Sequence, residues 1–432
     1  MFKTRTIVFI YCLLTAVIAS AQAGQNSPAK LAFLIPDLFG PDGLLLPNPT
    51  HEAHFENDFQ ANFGPFNAAI GSQLTSLPLP SPASGFTYMF DSTLGVYTRS
   101  AQSYGPLLTE RAETIGMEKF FAGFSYQHFR FGSLDGIDLN NFPSVFRHSQ
   151  TTPDPIIKQD IITTKTYVDT QIDQATAFFT YGLNDRIDVS VAVPFVNAKL
   201  AAVSDATIRR IGTANDPTIH FFLDQNGNIT DHKQFSVSGS DSGLGDILVR
   251  VKGTAWKTAL AWLAVGLDVR LPTGDAYNFL GSGATGLRPW LAVSGRSKKI
   301  TPHVNIGYQW NGSSPLAGDV FAGTRGHLPN QLTYALGFDA GITRKFSLAA
   351  DVLGQDIFHS QAVEATTFTA ANGARFADTN FVRQNNNLTN GSVGFKVNPV
   401  GTLLVSFNVL FQMNDAGLRS RVVPLVGFSY TF

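Results

Sequence analysis

Large apolar residues alternate with Asp, Ser, Ala and Pro in the stretch IDVSVAVPF, residues 187–195. Successive side chains of a β-strand point to opposite sides, so this pattern predicts a strand with one apolar face and one mixed face. The same alternation recurs in ALAWLAVGLDVRL, residues 259–271, and in LLVSFNVLF, residues 403–411. Twelve such stretches are predicted, and most have the ten or so residues that a tilted strand needs to cross a bilayer. They are 117–131, 163–182, 186–197, 243–252, 259–272, 287–296, 300–310, 331–341, 346–355, 390–398, 402–412 and 420–432.

The composition is unusual for a water-soluble protein. Only 15% of the 432 residues are charged, with 31 Lys and Arg against 32 Asp and Glu, whereas about a quarter is usual in soluble domains. The near-neutral balance excludes a basic surface for nucleic acid, and a mean hydropathy close to zero is too low for a bundle of membrane helices. The single cysteine excludes an internal disulfide and a Cys-based metal site. A β-barrel with an apolar outside and a polar inside fits all of these values.

Residues 1–23 have the pattern of a secretory signal peptide. Lys3 and Arg5 precede an apolar run, and small residues follow it as far as Ala23. The alternative is a membrane anchor that is retained. Cleavage after Ala23 would remove Cys12, and beyond residue 24 no apolar run reaches the roughly 18 residues of a spanning helix. A membrane-embedded mature chain would therefore be a closed barrel.

Residues 24–116 form a different region, rich in proline at its start. Apolar side chains recur there every three or four residues, which predicts one face of a helix. This face consists of Phe55, Phe59, Phe63, Phe66, Ile70 and Leu74. Gly64-Pro65 should divide the stretch into two short helices. The region is too small to bury its own core, so we expect a plug or lining of the barrel, or a periplasmic segment.

The connections between predicted strands alternate between short and long. Short turns such as 183–185 and 297–299 alternate with long loops such as 198–242 and 356–389, as in outer-membrane barrels with short periplasmic turns. Asn226-Gly227 predicts an external hairpin within the loop 198–242. We therefore expect an antiparallel outer-membrane β-barrel of about twelve strands over residues 117–432. Residues 86–99 are either part of a fourteen-strand barrel or a small hairpin in the lumen.

The last strand carries Phe428, Tyr430 and the terminal Phe432 on one face. This arrangement resembles the sorting signal of outer-membrane barrels and predicts the barrel-assembly machinery as a partner. The alternative is a hydrophobic C-terminal strand of a soluble protein. The other expected partners are outer-membrane lipid and a small-molecule solute, with no nucleic acid.

Charged residues on the predicted strands should point into the lumen, because a basic side chain facing lipid costs about 2–4 kcal/mol. Residues expected to line the lumen are Lys165, Asp169, Asp173, Asp188, Asp246, Arg250, Asp268, Arg270, His303, Asp339 and Asp351, together with Arg288 and Lys396. They either pair to hold the wall together or define a permeation path. Their mixed signs argue against a strongly ion-selective pore.

Other motifs do not fit a cofactor, metal or catalytic site. Residues 281–286 match G-x-G-x-x-G, but a strand follows them where a dinucleotide site needs a helix. Residues 224–231 lack the spacing of a calcium loop, and His51 and His54 do not form H-E-x-x-H. No nucleophile elbow is present. We expect no cofactor, no metal and no enzymatic activity.

Several short segments resemble a known family. They are FTYGLNDRIDV at 179–189, SGLGD at 242–246, LPTGD at 271–275 and the aromatic last strand. Together they resemble the phenol-degradation MetA-pathway family of outer-membrane proteins, over roughly residues 163–432. The resemblance implies a barrel and uptake of aromatic or other poorly soluble small molecules, and it supplies no binding residues. We therefore expect a channel for passive uptake of small, hydrophobic or aromatic solutes; the alternatives are a structural or adhesive barrel and a lipid-modifying barrel enzyme.

Overall fold

The structure is a computed structural model that describes residues 30–40, 43–48, 55–56, 64–76, 85, 87–91, 96–99, 103–148, 157–213, 216–295 and 299–432. The predicted signal peptide and the predicted plug residues Phe59 and Phe63 lie outside these ranges. Two α-helices are described, α1 (Leu31–Leu34) and α2 (Gly64–Ser76). Short 3-10 helices span Ile157–Gln159, Ala276–Asn278 and Pro315–Ala317.

Twelve long strands, called the wall strands, form one antiparallel sheet. They are β4 (Phe120–Leu134), β7 (Ile161–Asn184), β8 (Ile187–Arg209), β12 (Ile247–Lys257), β13 (Ala261–Leu271), β14 (Gly286–Gly295), β15 (Ile300–Asn311), β18 (Gln331–Thr343), β19 (Phe346–Thr369), β20 (Arg375–Val397), β21 (Leu404–Gln412) and β23 (Val422–Thr431).

Shorter strands decorate the sheet or pair separately. They are β1 (Phe55–Glu56), β2 (Tyr88–Asp91), β3 (Val96–Arg99), β5 (Ile137–Asp138), β6 (Phe142–His148), β9 (Phe222–Leu223), β10 (Ile229–Thr230), β11 (His232–Leu244), β16 (Ser313–Ser314), β17 (Gly326–His327) and β22 (Leu418–Ser420).

The sheet closes on itself. Each wall strand pairs with its neighbours in chain order, and β4 pairs with β7 on one side and with β23 on the other. β8 pairs with β12 along its first part and with β11 along the rest, so β11 extends the wall beyond β12. The predicted fold class, a closed antiparallel barrel of about twelve strands, is confirmed. Strands β2 and β3 pair with each other in a separate two-stranded sheet, which favours twelve wall strands over fourteen.

Two predicted long loops are partly strand. β8 and β11 stay paired up to Thr207 and His232, and β19 and β20 stay paired up to Thr369 and Arg375. Strand pairing therefore continues well past the length that crosses a bilayer. The predicted external hairpin is present: β9 and β10 pair around a turn in which Gly227 has a φ of 81°.

The barrel has two unlike rims, which we call the short-turn rim and the long-loop rim. The short-turn rim carries the connections near residues 185, 259, 344 and 400, the last residue of β14, the first residue of β15 and the first residue of β4. The helix α2 was predicted correctly from Gly64, with Pro65 in the first turn, where it loses no hydrogen bond. Phe55 was wrongly predicted to be helical, because Phe55 and Glu56 pair as a strand with His148 and Arg147 of β6.

Large apolar side chains cover the outside of the wall. Leu291, for example, is exposed between Val265 of β13 and Ile306 of β15, which are exposed as well. The intervening residues point into the lumen, and most of them are buried. No described helix has the length and apolar character needed to span a bilayer. A closed antiparallel barrel with an apolar outer surface and polar side chains inside is the structure of an outer-membrane protein.

We expect Leu291→Arg to lower the free energy of unfolding by about 2–4 kcal/mol, because the guanidinium would face hydrocarbon. The measurement is urea unfolding of the protein in lipid vesicles. Ile229→Arg, at the exposed hairpin, is the control and should change stability by no more than about 0.5 kcal/mol. Equal losses at both positions would contradict the assignment of the outer apolar surface to the bilayer.

Candidate functional site

A segment without regular structure, Ser103–Met117, lies against the inner wall near the short-turn rim, and we call it the strap. Its residues run past the wall strands in reverse order. Tyr104 contacts β19 and β20, Glu110 contacts β15, and Ile115 contacts β8. The strap then crosses Gly182 of β7, where a side chain would collide with the Gly116 carbonyl, and continues into β4.

Wall side chains bind the backbone of the strap. The Asn305 side chain accepts a hydrogen bond from Glu110 N (2.6 Å) and donates one to Glu110 O (2.9 Å). Lys396 Nζ donates to the carbonyls of Tyr104 and Pro106, and Lys252 Nζ donates to that of Glu113. These bonds satisfy polar groups that would otherwise be buried without partners.

Two inward carboxylates hold the strap in the same way. Asp188 accepts from Ile115 N at 3.0 Å and lies 3.6 Å from Lys252 Nζ. Asp351 accepts from Thr109 Oγ1 at 2.8 Å. These groups come from strands far apart in the chain, and the strap brings them into one network.

Ser294, His303 and Asp339 form a buried line beneath the strap. His303 Nδ1 lies 2.8 Å from Ser294 Oγ, and His303 Nε2 lies 2.5 Å from Asp339 Oδ1. Ser294 Oγ also accepts a hydrogen bond from Ala112 N. This Ser-His-Asp geometry escaped the sequence analysis, because the three residues lie on separate strands. It anchors the strap, and none of the three belongs to the described lining of the lumenal cavity.

A cavity of about 200 Å³, called the chamber, lies in the lumen between α2 and the strap. Leu74 and Thr75 of α2 border it on the long-loop side, and Leu108 and Glu110 of the strap border it on the short-turn side. The charged side chains that line it are Glu110, Asp246, Arg250, Asp268, Arg270 and Arg288.

One carboxylate organises the chamber wall. Asp268 accepts two hydrogen bonds from Arg250 (2.7 Å each), others from Arg288, and one from Trp290 Nε1 (2.8 Å). The Arg250 guanidinium also pairs with Glu110 of the strap and lies over the Trp290 ring. The chamber wall and the strap are therefore joined through Arg250.

The end of α2 is bound by wall side chains. Arg270 donates to the carbonyl of Thr75 at 3.0 Å, and Gln331 donates to the Thr75 hydroxyl at 2.8 Å. A cation at the C-terminus of a helix satisfies a free carbonyl and interacts favourably with the helix dipole. Asp246 binds the connection after β13 instead, by accepting from Ser282 N and Gly274 N. The glycine-rich stretch 281–286 is thus part of a loop that Asp246 holds.

The structure corrects part of the predicted lumen lining. Lys165, Asp169 and Asp173 alternate with buried side chains of β7 and share their face with exposed Phe179 and Tyr181, so they lie on the outer surface. Asp169 pairs there with Arg130. Asp173 is eleven residues from the end of β7, so these charges lie beyond the roughly ten residues that cross the bilayer.

The remaining predicted charges face inward. Those that are buried are Asp188, Arg250, Asp268, Arg270, His303, Asp339, Asp351 and Lys396. The side chain of Asp246 is 6% exposed and that of Arg288 is 29% exposed. Of the predicted plug face, Phe66 and Ile70 are buried, Leu74 lines the chamber, and Phe55 packs against His148 and His220. The strap itself was missed, although it carries polar residues just before the first wall strand.

A second buried cluster lies just before β7, at the long-loop rim. Burial by itself raises the pKa of Asp160. Hydrogen bonds from His220, Thr213 and Gly212 together lower the pKa by a larger amount, so that it falls to about 2. A depressed pKa means that these bonds stabilise the protein above the ordinary carboxylate pKa and weaken only as the pH falls towards 2. No group of described His, Cys, Asp and Glu residues has the arrangement of a metal site.

We expect Gly266→Ala to displace Trp290, because the new methyl group would overlap the indole ring. The loss of stability should be about 1–3 kcal/mol, and the near-ultraviolet circular dichroism of the tryptophans should change. Gly253→Ala is the matched control, since its nearest neighbour would be a carbonyl oxygen at 3.7 Å. An unchanged dichroism spectrum in Gly266→Ala would contradict the position of Trp290.

We expect Asn305→Leu to loosen the strap, because it leaves two backbone groups of Glu110 without partners, each worth about 1–3 kcal/mol. Hydrogen exchange followed by mass spectrometry should show faster exchange in residues 103–117 and unchanged exchange in the wall strands. Asn226→Leu, in the external hairpin, is the control. Unchanged strap exchange in Asn305→Leu would show that this anchor is dispensable.

Outer-membrane proteins are among the solved structures to which this chain is similar. The COG4313 outer membrane channel from Pseudomonas putida F1 aligns with 13% identity over 74% of this chain and 98% of that one, with a TM-score of 0.43. A Pseudomonas aeruginosa FadL homologue aligns with 10% identity over 73% and 90%, with a TM-score of 0.32. The Ralstonia pickettii toluene transporter TbuX aligns with 10% identity over 83% and 100%, with a TM-score of 0.28.

Among curated proteins, no relative matches the chain. A family model does match, over residues 152–417, which is more than half of the chain and runs from before β7 to just before β22. Its description is "Putative MetA-pathway of phenol degradation". This protein belongs to that family.

Proposed function

We propose that the protein is an outer-membrane channel that admits small, mainly hydrophobic or aromatic solutes by passive diffusion. The observation that carries the proposal is the chamber, which lies inside a closed barrel and has a mixed lining. Apolar side chains make up much of that lining: Leu74, Leu108, Val196, Leu248, Leu280, Trp290, Ala335 and Leu353. A concave site with apolar walls and a few placed polar groups is typical of small-molecule binding.

The size of the chamber limits the solute. A dry cavity of about 150 Å³ holds one benzene ring, so a chamber of about 200 Å³ suits a single substituted ring. A disaccharide is too large for it. In liposome swelling assays with purified protein, we expect phenol to enter faster than sucrose; entry of neither solute would overturn the proposal.

We further propose that residues 24–116 act as a plug in two layers, with α2 above the chamber and the strap below it. The end of α2 is held by Arg270 and Gln331, whereas the strap is held by at least six wall strands. Among the described hydrogen bonds to the wall strands, those of α2 involve fewer strands than those of the strap. Passage would need α2 to yield before the strap.

We propose no catalytic role for the Ser294, His303 and Asp339 line. The Ser294 hydroxyl is buried and binds the strap, so a substrate would have to displace Ala112 to reach it. The outer-membrane lipid and the barrel-assembly machinery remain proposed partners, on the apolar outer surface and the aromatic last strand.

We expect deletion of residues 24–85 to raise single-channel conductance and speed phenol entry, because it removes α2 and leaves the strap. Planar-bilayer recordings and liposome swelling are the measurements, with the full chain as control. Heat-modifiable migration in gel electrophoresis would establish that the barrel is folded. Unaltered conductance and uptake in a folded deletion variant would show that α2 does not restrict passage.

A further inference from the structure

The six charged side chains that line the chamber differ sharply in accessibility. The side chain of Arg288 is 29% exposed, whereas those of Glu110, Asp246, Arg250, Asp268 and Arg270 are between 2% and 11% exposed. Three of the six are basic and three are acidic, so their formal charges sum to zero. Among these six charged residues, however, the one chiefly accessible to a solute is Arg288.

The hydrogen bonds explain this difference. Arg250 uses its three nitrogens on Asp268 and Glu110, and Arg270 uses its three on the Ala284 carbonyl, the Thr75 carbonyl and Asn311. Every nitrogen of these two guanidinium groups therefore already donates to the protein. The carboxylate of Asp268 is likewise filled by three side chains.

Arg288 is bound on one side alone. Its Nε (3.2 Å) and Nη2 (2.5 Å) both donate to the same oxygen, Asp268 Oδ2, which already accepts from Arg250. Among the residues that the structure describes, Nη1 has no hydrogen-bond acceptor. Asp268 is shared between the two guanidinium groups, and Glu110 pairs with Arg250 but not with Arg288. Arg288 is therefore the less completely paired of the two arginines, and it keeps spare donors at the chamber surface.

We propose that the chamber binds a small monocarboxylate with an apolar body, such as an aromatic acid, through a charge-assisted bond to Arg288. A guanidinium binds carboxylates with defined geometry, and the apolar lining, including Trp290 and Leu353, accommodates the ring. The inference names the solute class of the channel proposed above and rests on that proposal. One accessible cation fits one negative charge, and a cationic solute would be repelled.

Binding can be measured separately from transport. Isothermal titration calorimetry of the folded protein in detergent would compare benzoate, benzyl alcohol and benzylamine, three ligands with one ring and different charge. We expect benzoate to bind most tightly, and Arg288→Gln to weaken it about 10- to 100-fold, as for loss of a charge-assisted hydrogen bond. Affinity for benzyl alcohol should change little in that variant.

Two further variants sharpen the test. Lys165→Gln removes a basic charge from the outer surface and should leave benzoate affinity unchanged. Arg288→Lys keeps the charge without the planar fork and should give an intermediate affinity, and it replaces Arg288→Gln if that variant does not assemble. Equal benzoate affinity in wild type and the Arg288 variants, or equal affinity for benzylamine and benzoate, would overturn the inference.

The two proposals fail in different ways. If phenol and benzoate both fail to enter liposomes while benzoate still binds through Arg288, the channel proposal is wrong and the carboxylate site stands. If both solutes enter but the Arg288 variants bind and admit benzoate like wild type, the carboxylate site is wrong and the channel proposal stands.

Discussion

An extended chain that is buried without a sheet partner needs a hydrogen bond for almost every amide and carbonyl, and the strap meets this constraint with wall side chains. Asn305, Ser294, Lys252, Asp188 and Lys396 supply those bonds from separate strands. Inward polar residues of the barrel are therefore occupied by the protein's own backbone near the short-turn rim. The strap thereby forms the border of the chamber on its short-turn side.

One network of charged side chains joins the strap, the chamber wall and the indole of Trp290. Asp268 orients Arg250, Arg250 pairs with the strap through Glu110, and Trp290 packs between Arg250 and Gly266. A buried carboxylate shared by two guanidinium groups and an indole is costly to disrupt, since removing it would leave Arg288 without an ion pair and the Trp290 N–H without its acceptor. The same sharing leaves Arg288 less completely neutralised than Arg250. In the proposed site, Asp268 therefore contributes both to the ion pairs inside the wall and to the way in which Arg288 is presented to a solute.

The fold could be predicted from local pattern to a large extent. Alternation of period two identified all twelve wall strands and predicted that Asp188, Arg250 and Asp339 face the lumen. It could do so because apolar side chains of a wall strand face lipid and the side chains between them face inward. Lys165 and Asp169 have the same periodicity but lie beyond the bilayer, where an outward charge costs little, so alternation alone gave the wrong face. The strap and the Ser294–His303–Asp339 line depend on contacts between distant strands, which no local spacing encodes. Phe55 shows another limit of local pattern. It lies in a stretch with helical periodicity, yet it forms a strand because its backbone pairs with His148 of β6.

The strap is recognised mainly through its main-chain atoms, with Glu110 as a prominent exception. Side chains such as those of Leu108, Ala112 and Ile115 could change without removing the amides that the wall binds, whereas a change at Asn305 or Lys252 removes a partner that the strap cannot supply itself. Divergence between related barrels should therefore concentrate in the strap sequence rather than in its anchors. New chamber shapes become accessible by substitution at a few strap positions, while the surrounding wall is held constant.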